Sequence, residues 1–130
     1  MSQFTDTHIV RVLSVKQPWA WALIYAGKDV ENRTWKTNYR GRLYIHASMQ
    51  DDDYGYEFMK MHKIPAPLDE PTQWPIAGAI IGHVTLTEII TDSLSIWFAG
   101  PYGWQVKDPV PIEPFYCKGA LGVWNMRIQK

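Results

Sequence analysis

The stretch LSVKQPWAWALIYAGKDVENRTW, Leu13 to Trp35, holds three of the seven Trp of the 130-residue chain beside Lys16, Lys28, Glu31 and Arg33. Upstream, HIVRVLSV is rich in β-branched residues and reads as a strand entering the core. Pro18 then suits the first position of a helix, with Gln17 just before it and Gly27 just past its end. Between them WAWALIYA is apolar all round, the pattern of a helix buried on most sides. At about three turns, packing rather than propensity must hold it. KDVENRTW then alternates in the β sense, which puts Asp29, Glu31, Arg33 and Trp35 on one side and Lys28, Val30, Asn32 and Thr34 on the other.

Outward from this segment, strand signals dominate. GRLYIHAS alternates cleanly: Leu43, Ile45 and Ala47 point to the core, while Arg42, Tyr44 and His46 form a polar wall or face solvent. MQDDDYGYEFMKMHKI reads as a helix or half-ordered excursion, acidic at its start as a helix N-terminus favours. PAPLDEPTQWP, with four Pro in eleven residues, is a loop. IAGAIIGHVTLTEII is a long strand in which Gly78 and Gly82 mark bends, bulges or close backbone approach. GPYGWQVKDPVPIEPFYCKGALGVWNMRI supplies two or three more strands broken by Pro and Gly. The expected fold class is α+β, mainly β, built as a small, partly closed β-barrel with a helix or two. The chain fits one domain, residues 1–130, with its core over about 9–128.

Hydrophobic content of 46% and charged content of 20% are ordinary for a globular protein. The seven Trp and seven Tyr exceed what so small a core needs, and such rings also make stacking surfaces. Net charge is zero, so no globally basic character argues for nucleic acid. The distribution is bipolar. Residues 11–42 carry seven basic groups against two acids, and 50–70 carry six acids against two Lys. A positive face would attract phosphate-bearing ligands despite the neutral total. The single cysteine, Cys117, excludes an internal disulfide, provides no thiolate metal cluster, and suits a reducing cytosol. The histidines have no metal-ligand spacing, and nothing calls for a cofactor. No secretion signal or membrane span is read, so a cytoplasmic location is expected.

Several residue groups carry chemistry. Lys28, Glu31 and Arg33 form K-x-x-E-x-R; on a strand Glu31 and Arg33 share a face. The spacing fits a surface ion pair worth 0 to about 1 kcal/mol. It equally fits a partly buried carboxylate held by cations, suited to hydrogen-bonding a base edge or to proton transfer. Arg40 and Arg42 flank Gly41, either as solvated turn charges or as a phosphate clamp of two planar donor forks. His46 is a satisfied histidine at the core rim or a site-lining donor beside Tyr44. Trp104 and Tyr102, between glycines, make either a cover for the barrel end or a platform on which a base stacks. Cys117 reads as a packed thiol.

Taken together, LSVKQPWAWALIYAGKDVENRTW, YRGRLYIHAS, GAIIGHVTL, GPYGWQV and KGALGVWN resemble the ASCH domain family of the PUA-like β-barrel superfamily, from about Leu13 to Trp124. The resemblance implies a barrel of five to six strands with flanking short helices, and a cleft beside the first helix that binds RNA, DNA or nucleotides. The cleft maps onto Lys16, Gln17, Trp19, Lys28, Glu31, Arg33 and Arg40, with Trp104 from a later loop. Some small members are amidohydrolases that deacetylate N4-acetylcytidine with a Lys, a Thr nucleophile and a distant Glu. Lys28 matches that Lys, but Glu31 stands where the Thr would be, so the acyl-enzyme chemistry does not carry over. Another member is a ribonuclease for single-stranded RNA.

These readings leave three functions to weigh. One is a binding module for single-stranded RNA or a modified nucleoside or nucleotide. Lys16, Arg40 and Arg42 would meet phosphates, Trp19 or Trp104 would stack on a base, and Glu31 would accept from its edge. Another is a hydrolase in the same cleft, with Glu31 as general base, Lys28 tuning it and Arg33 stabilising negative charge. A third is a protein-interaction domain working through the acidic Asp51 to Glu70 face.

Overall fold

The computed structural model describes residues 7–65 and 76–129; the Pro-rich segment read as a loop falls almost wholly outside them. Six strands and two helices follow one another as β1 (Thr7–Gln17), α1 (Trp19–Tyr25), β2 (Val30–Arg33), β3 (Gly41–Asp51), α2 (Asp53–Met61), β4 (Ala79–Ile90), β5 (Tyr102–Tyr116) and β6 (Val123–Gln129). They form one sheet in the order β2-β5-β4-β3-β1-β6. The pair β1 and β3 is parallel, and the other pairs are antiparallel. The fold is mainly β with short flanking helices, as expected. The sheet is not closed: β2 and β6 remain its two edges. No helix among the described residues is long and apolar enough to cross a membrane.

The parallel β1–β3 pair needs a crossover, and the opening segment supplies it. Helix α1 starts one residue later than the position of Pro18 suggested, with Pro18 as its N-cap. Gln17 does the capping from one residue further back: its Oε1 accepts from the Trp21 N–H at 2.9 Å. Gly27, at φ +74°, lets the chain turn back, and the Lys28 N–H then donates to the Ala22 carbonyl at 3.1 Å. This reversal sets Lys28 against the helix that precedes it. Ala20 to Ile24 are all buried, so the helix is enclosed as its all-round apolar pattern required.

One face of the sheet carries the core. Leu13 and Val15 of β1 join Leu43, Ile45 and Ala47 of β3, with Ile81, Val84 and Leu86 of β4, beneath Leu23 and Ile24 of α1. A smaller cluster of Trp21, Val30, Phe58, Met59 and Trp97 ties α2 to β2. Beside Gly82 the sheet bulges, between Ile80 and Gly82. A Cβ at Gly82 would lie 2.6 Å from the Val110 carbonyl and 2.8 Å from Ile24 Cδ1, the close approach its sequence position implied. Strand β5 runs unbroken through Pro109, Pro111 and Pro114. Its partner β2 reaches only as far as Gln105, so beyond it the edge of β5 needs no ladder donor from those prolines.

The opposite face differs from expectation at one position. Arg42 is exposed and Tyr44 half-buried, but His46 is only 2% exposed. The turn between β5 and β6 crosses over it, with the Cys117 carbonyl on its ring and Gly119 against its edge.

Candidate functional site

A cavity of about 470 Å³ opens where the C-terminal ends of β1 and β3 meet β2 and the start of α2. Period-2 alternation explains one wall: Ser14 and Lys16 project from β1, and Ser48 and Gln50 project from β3 on the same side. The floor comes from the K-x-x-E-x-R motif. Glu31 and Arg33 share a face of β2, and the turn after Gly27 brings Lys28 to them. Lys28 Nζ lies 3.3 Å from Glu31 Oε1, and Arg33 Nη2 lies 3.1 Å from Glu31 Oε2.

This is not a solvated ion pair. Lys28 is 4% exposed and Glu31 7% exposed. Lys28 Nζ also donates to the Val30 carbonyl and lies over the rings of Trp19 and Trp97, at 5.3 and 5.9 Å. Burial pushes its amine pKa down, and the Glu31 carboxylate beside it works in the opposite direction. Arg33 donates from Nη2 to the Ser14 carbonyl at 2.8 Å. Its Nε–H is buried without a hydrogen-bond partner among the described residues. An uncommitted donor beside a fixed carboxylate is a complementary pair of handles for a planar polar ligand.

Trp19 makes the aromatic side. Its indole Nε1–H donates to Asp52 Oδ2 at 2.7 Å, while Asp52 Oδ1 caps α2 by accepting from the Tyr54 N–H at 3.1 Å. One carboxylate therefore starts the helix and orients the ring. Tyr54, Phe58 and Trp97 lie around that indole with ring centroids 6.4, 5.4 and 6.3 Å away. Asn32, on the other face of β2, secures the neighbouring turn: its Nδ2 donates to the Trp97 carbonyl and its Oδ1 accepts from the Ala99 and Gly100 N–H groups.

Of the residues singled out from sequence, Lys16, Trp19, Lys28, Glu31 and Arg33 meet around this cavity. The others stand apart from it. Gln17 is fully buried, its Nε2 donating to the Ile76 carbonyl and its Oε1 capping α1. Trp104 is not on a loop: it is 0% exposed, edge-on to Trp35 at 4.8 Å, with its Nε1–H on the Trp35 carbonyl. The glycines that suggested a loop are a tight approach within β5, where a Cβ at Gly103 would lie 2.7 Å from Val30 and 2.8 Å from Phe98. Arg40 is exposed, its guanidinium on the Thr37 and Tyr39 carbonyls, and Arg42 is exposed on β3. His46 stands behind Ser14 rather than on the cavity wall.

Sequence reading missed Ser14, Ser48, Gln50, Asp52, Asn32 and the 120–122 turn. The first three were reachable by extending the alternation of β1 and β3, and Asp52 by its capping position. The turn comes from far along the chain, and no local pattern announces it.

The model of the ASCH domain matches residues 13–107, which span β1 to the middle of β5 and contain the whole K-x-x-E-x-R floor. Among curated proteins, the chain is 28% identical over 131 aligned positions to activating signal cointegrator 1 of Homo sapiens, covering 88% of this chain and 22% of that protein. It is 31% identical over 87 positions to activating signal cointegrator 1 of Mus musculus, covering 61% of this chain and 14% of that protein. The chain thus corresponds to about a fifth or less of the length of these relatives. With the family model covering most of the chain, and the motifs it covers converging on one cavity, the chain belongs to the ASCH domain family.

Proposed function

We propose that this domain binds a nucleotide unit of single-stranded RNA, or a modified nucleoside or nucleotide, in the cavity beside α1. The observation that carries the reading is the juxtaposition of Trp19 with the Glu31–Arg33 pair across one opening of about 470 Å³. An aromatic side, a fixed acceptor and an uncommitted donor are what a single unstacked base requires. The base lies against Trp19; its polar edge meets the Glu31 carboxylate and the Arg33 Nε–H. Lys16, exposed at the rim, meets the phosphate. Arg40 and Arg42 lie outside the cavity and serve, at most, a strand that continues beyond it. The reducing cytosol suggested by one cysteine is a setting where RNA is at hand.

Fluorescence anisotropy with a labelled single-stranded RNA, beside a nucleoside panel read by Trp emission, tests the proposal. Binding at low salt that weakens as salt rises is expected. Glu31→Gln should weaken it at least about tenfold, as a lost charge-assisted bond of about 1.5 kcal/mol or more would. Absence of binding to every ligand at low salt would overturn it.

A further inference from the structure

Ser14 and His46 are register partners in the parallel β1–β3 ladder, so their side chains stand together on the outer face. Ser14 Oγ lies 3.4 Å from His46 Nδ1. The other ring nitrogen, Nε2, lies 2.8 Å from the Cys117 backbone carbonyl. A carbonyl can only accept, so the neutral imidazole keeps its proton on Nε2 and turns Nδ1 as an acceptor toward the hydroxyl. The Trp124 Nε1–H donates to Ser14 Oγ at 3.3 Å, which leaves the hydroxyl proton to His46. Ser14 lines the cavity, and His46 is enclosed behind it. Gly119 closes over both: a Cβ there would lie 2.8 Å from His46 Cε1 and 2.9 Å from Ser14 Oγ. Arg33, held to the Ser14 carbonyl through Nη2, brings its unpartnered Nε–H to the same wall.

A hydroxyl facing a cavity, a base oriented by a third group, and an uncommitted cationic donor nearby are the parts of an acyl-transfer site. We propose that Ser14 is a nucleophile with His46 as its general base, and that the cavity hydrolyses a carboxylic ester or amide of a ligand that fits it. Ser14 Oγ attacks the carbonyl carbon while His46 Nδ1 takes the hydroxyl proton. The Arg33 Nε–H stabilises the negative charge on the carbonyl oxygen. The bond to the alcohol or amine then breaks, and His46 returns the proton to that leaving group. Water, deprotonated by His46, attacks the acyl-Ser14 carbonyl; the carboxylic acid leaves and Ser14 regains its proton. Nucleotide binding is not required for this step, so loss of RNA binding and loss of acyl chemistry are separate results.

A fluorophosphonate, which transfers its phosphonyl group to activated serines with loss of fluoride, reads the nucleophile directly. On the full chain, digestion and mass spectrometry should place the adduct on the Ser14 peptide, and Ser14→Ala should abolish it. His46→Gln should slow labelling about a hundredfold, the usual scale of general-base assistance. With p-nitrophenyl acetate, a stoichiometric burst of nitrophenolate should accompany acetylation of Ser14. Absence of any Ser14 adduct with both reagents on the folded chain, or labelling of the His46→Gln chain at the wild-type rate, overturns the proposal. Ser14→Cys gives an independent reading in which Cys117, its thiol pushed up by burial, is the internal reference. The thiol at position 14 should react with iodoacetamide at least about tenfold faster than Cys117 and lose that lead when His46→Gln is added. Equal rates at the two positions overturn the proposal as well.

Discussion

Two groups of cations lie close together in this sequence, and the fold treats them in opposite ways. Lys28 and Arg33 close on one buried carboxylate at 3.3 and 3.1 Å. Arg40 and Arg42 stay exposed, with Arg40 turned onto backbone carbonyls. Spacing alone did not separate them. What separates them is the turn at Gly27 and the Trp19–Trp97 cover, which take the first group out of water. A charge removed from water becomes structural and directional at once, whereas a solvated charge is neither.

The largest expected effect tests that distinction. Glu31→Ala leaves Lys28 buried beside Arg33 without a counter-charge and should cost about 3 to 5 kcal/mol in urea unfolding. Arg40→Ala should fall within about 0.5 kcal/mol of the wild type. Replacing Lys28 and Glu31 together by Met and Leu should recover most of the loss, because the ion pair then goes as a unit. If Glu31→Ala costs no more than Arg40→Ala, the triad is effectively solvated and the contrast fails.

Binding should divide along the same line. Trp19→Leu removes a stacking face and should weaken RNA binding by about 1 to 3 kcal/mol, visible in anisotropy at any salt. Arg42→Gln should leave low-salt affinity nearly intact, changing the slope of log affinity against log salt by no more than about 0.7. A larger loss from Arg42→Gln than from Trp19→Leu would move recognition from the cavity to the outer cations.

The Lys28 pKa offers a weaker but signed test. Its folded value is lowered chiefly by burial, so the unfolded chain binds the proton more tightly. Stability should therefore rise with pH between that lowered value and the ordinary Lys value of about 10.4. Tyr56, raised by burial and Asp51 to about 12, opposes this from about pH 10 upward, where the unfolded tyrosine ionises first. The comparison is read below that point, as urea midpoints of the wild type against Lys28→Met; parallel curves would contradict a strained buried amine.

How much of this was legible in the sequence follows from which interactions are local. The strand-helix-strand order of residues 7–33, the buried α1 and the inward set Leu43, Ile45 and Ala47 all follow from periodicity and punctuation, which neighbours in sequence decide. Trp104 did not, because glycines give the same signal for an exposed loop and for backbone pressed against Val30 and Phe98. His46 did not, because its cover arrives from 71 residues away, at Cys117. The triad was visible as a motif, yet its burial depends on Trp97, which no spacing around Lys28 announces. Local pattern found the residues; long-range packing decided which of them face a ligand.

The smallest expected effect lies on the outer face, away from the cavity. His83 packs against Tyr44 with ring centroids 5.0 Å apart, and its pKa is lowered first by burial and then by the Arg42 charge. A histidine whose folded pKa is depressed loses stability as pH falls from the ordinary value of about 6.5 toward the folded one, since the unfolded chain takes up the proton first. Arg42→Gln removes the second cause and leaves the first, so the His83 resonance followed by NMR should titrate at higher pH, still below about 6.5. Lys28→Met should not move it. An unchanged His83 titration in Arg42→Gln would mean that the guanidinium is screened by solvent even from the ring beside it. Arg42 would then be electrostatically silent on its own face, which completes its contrast with Arg33.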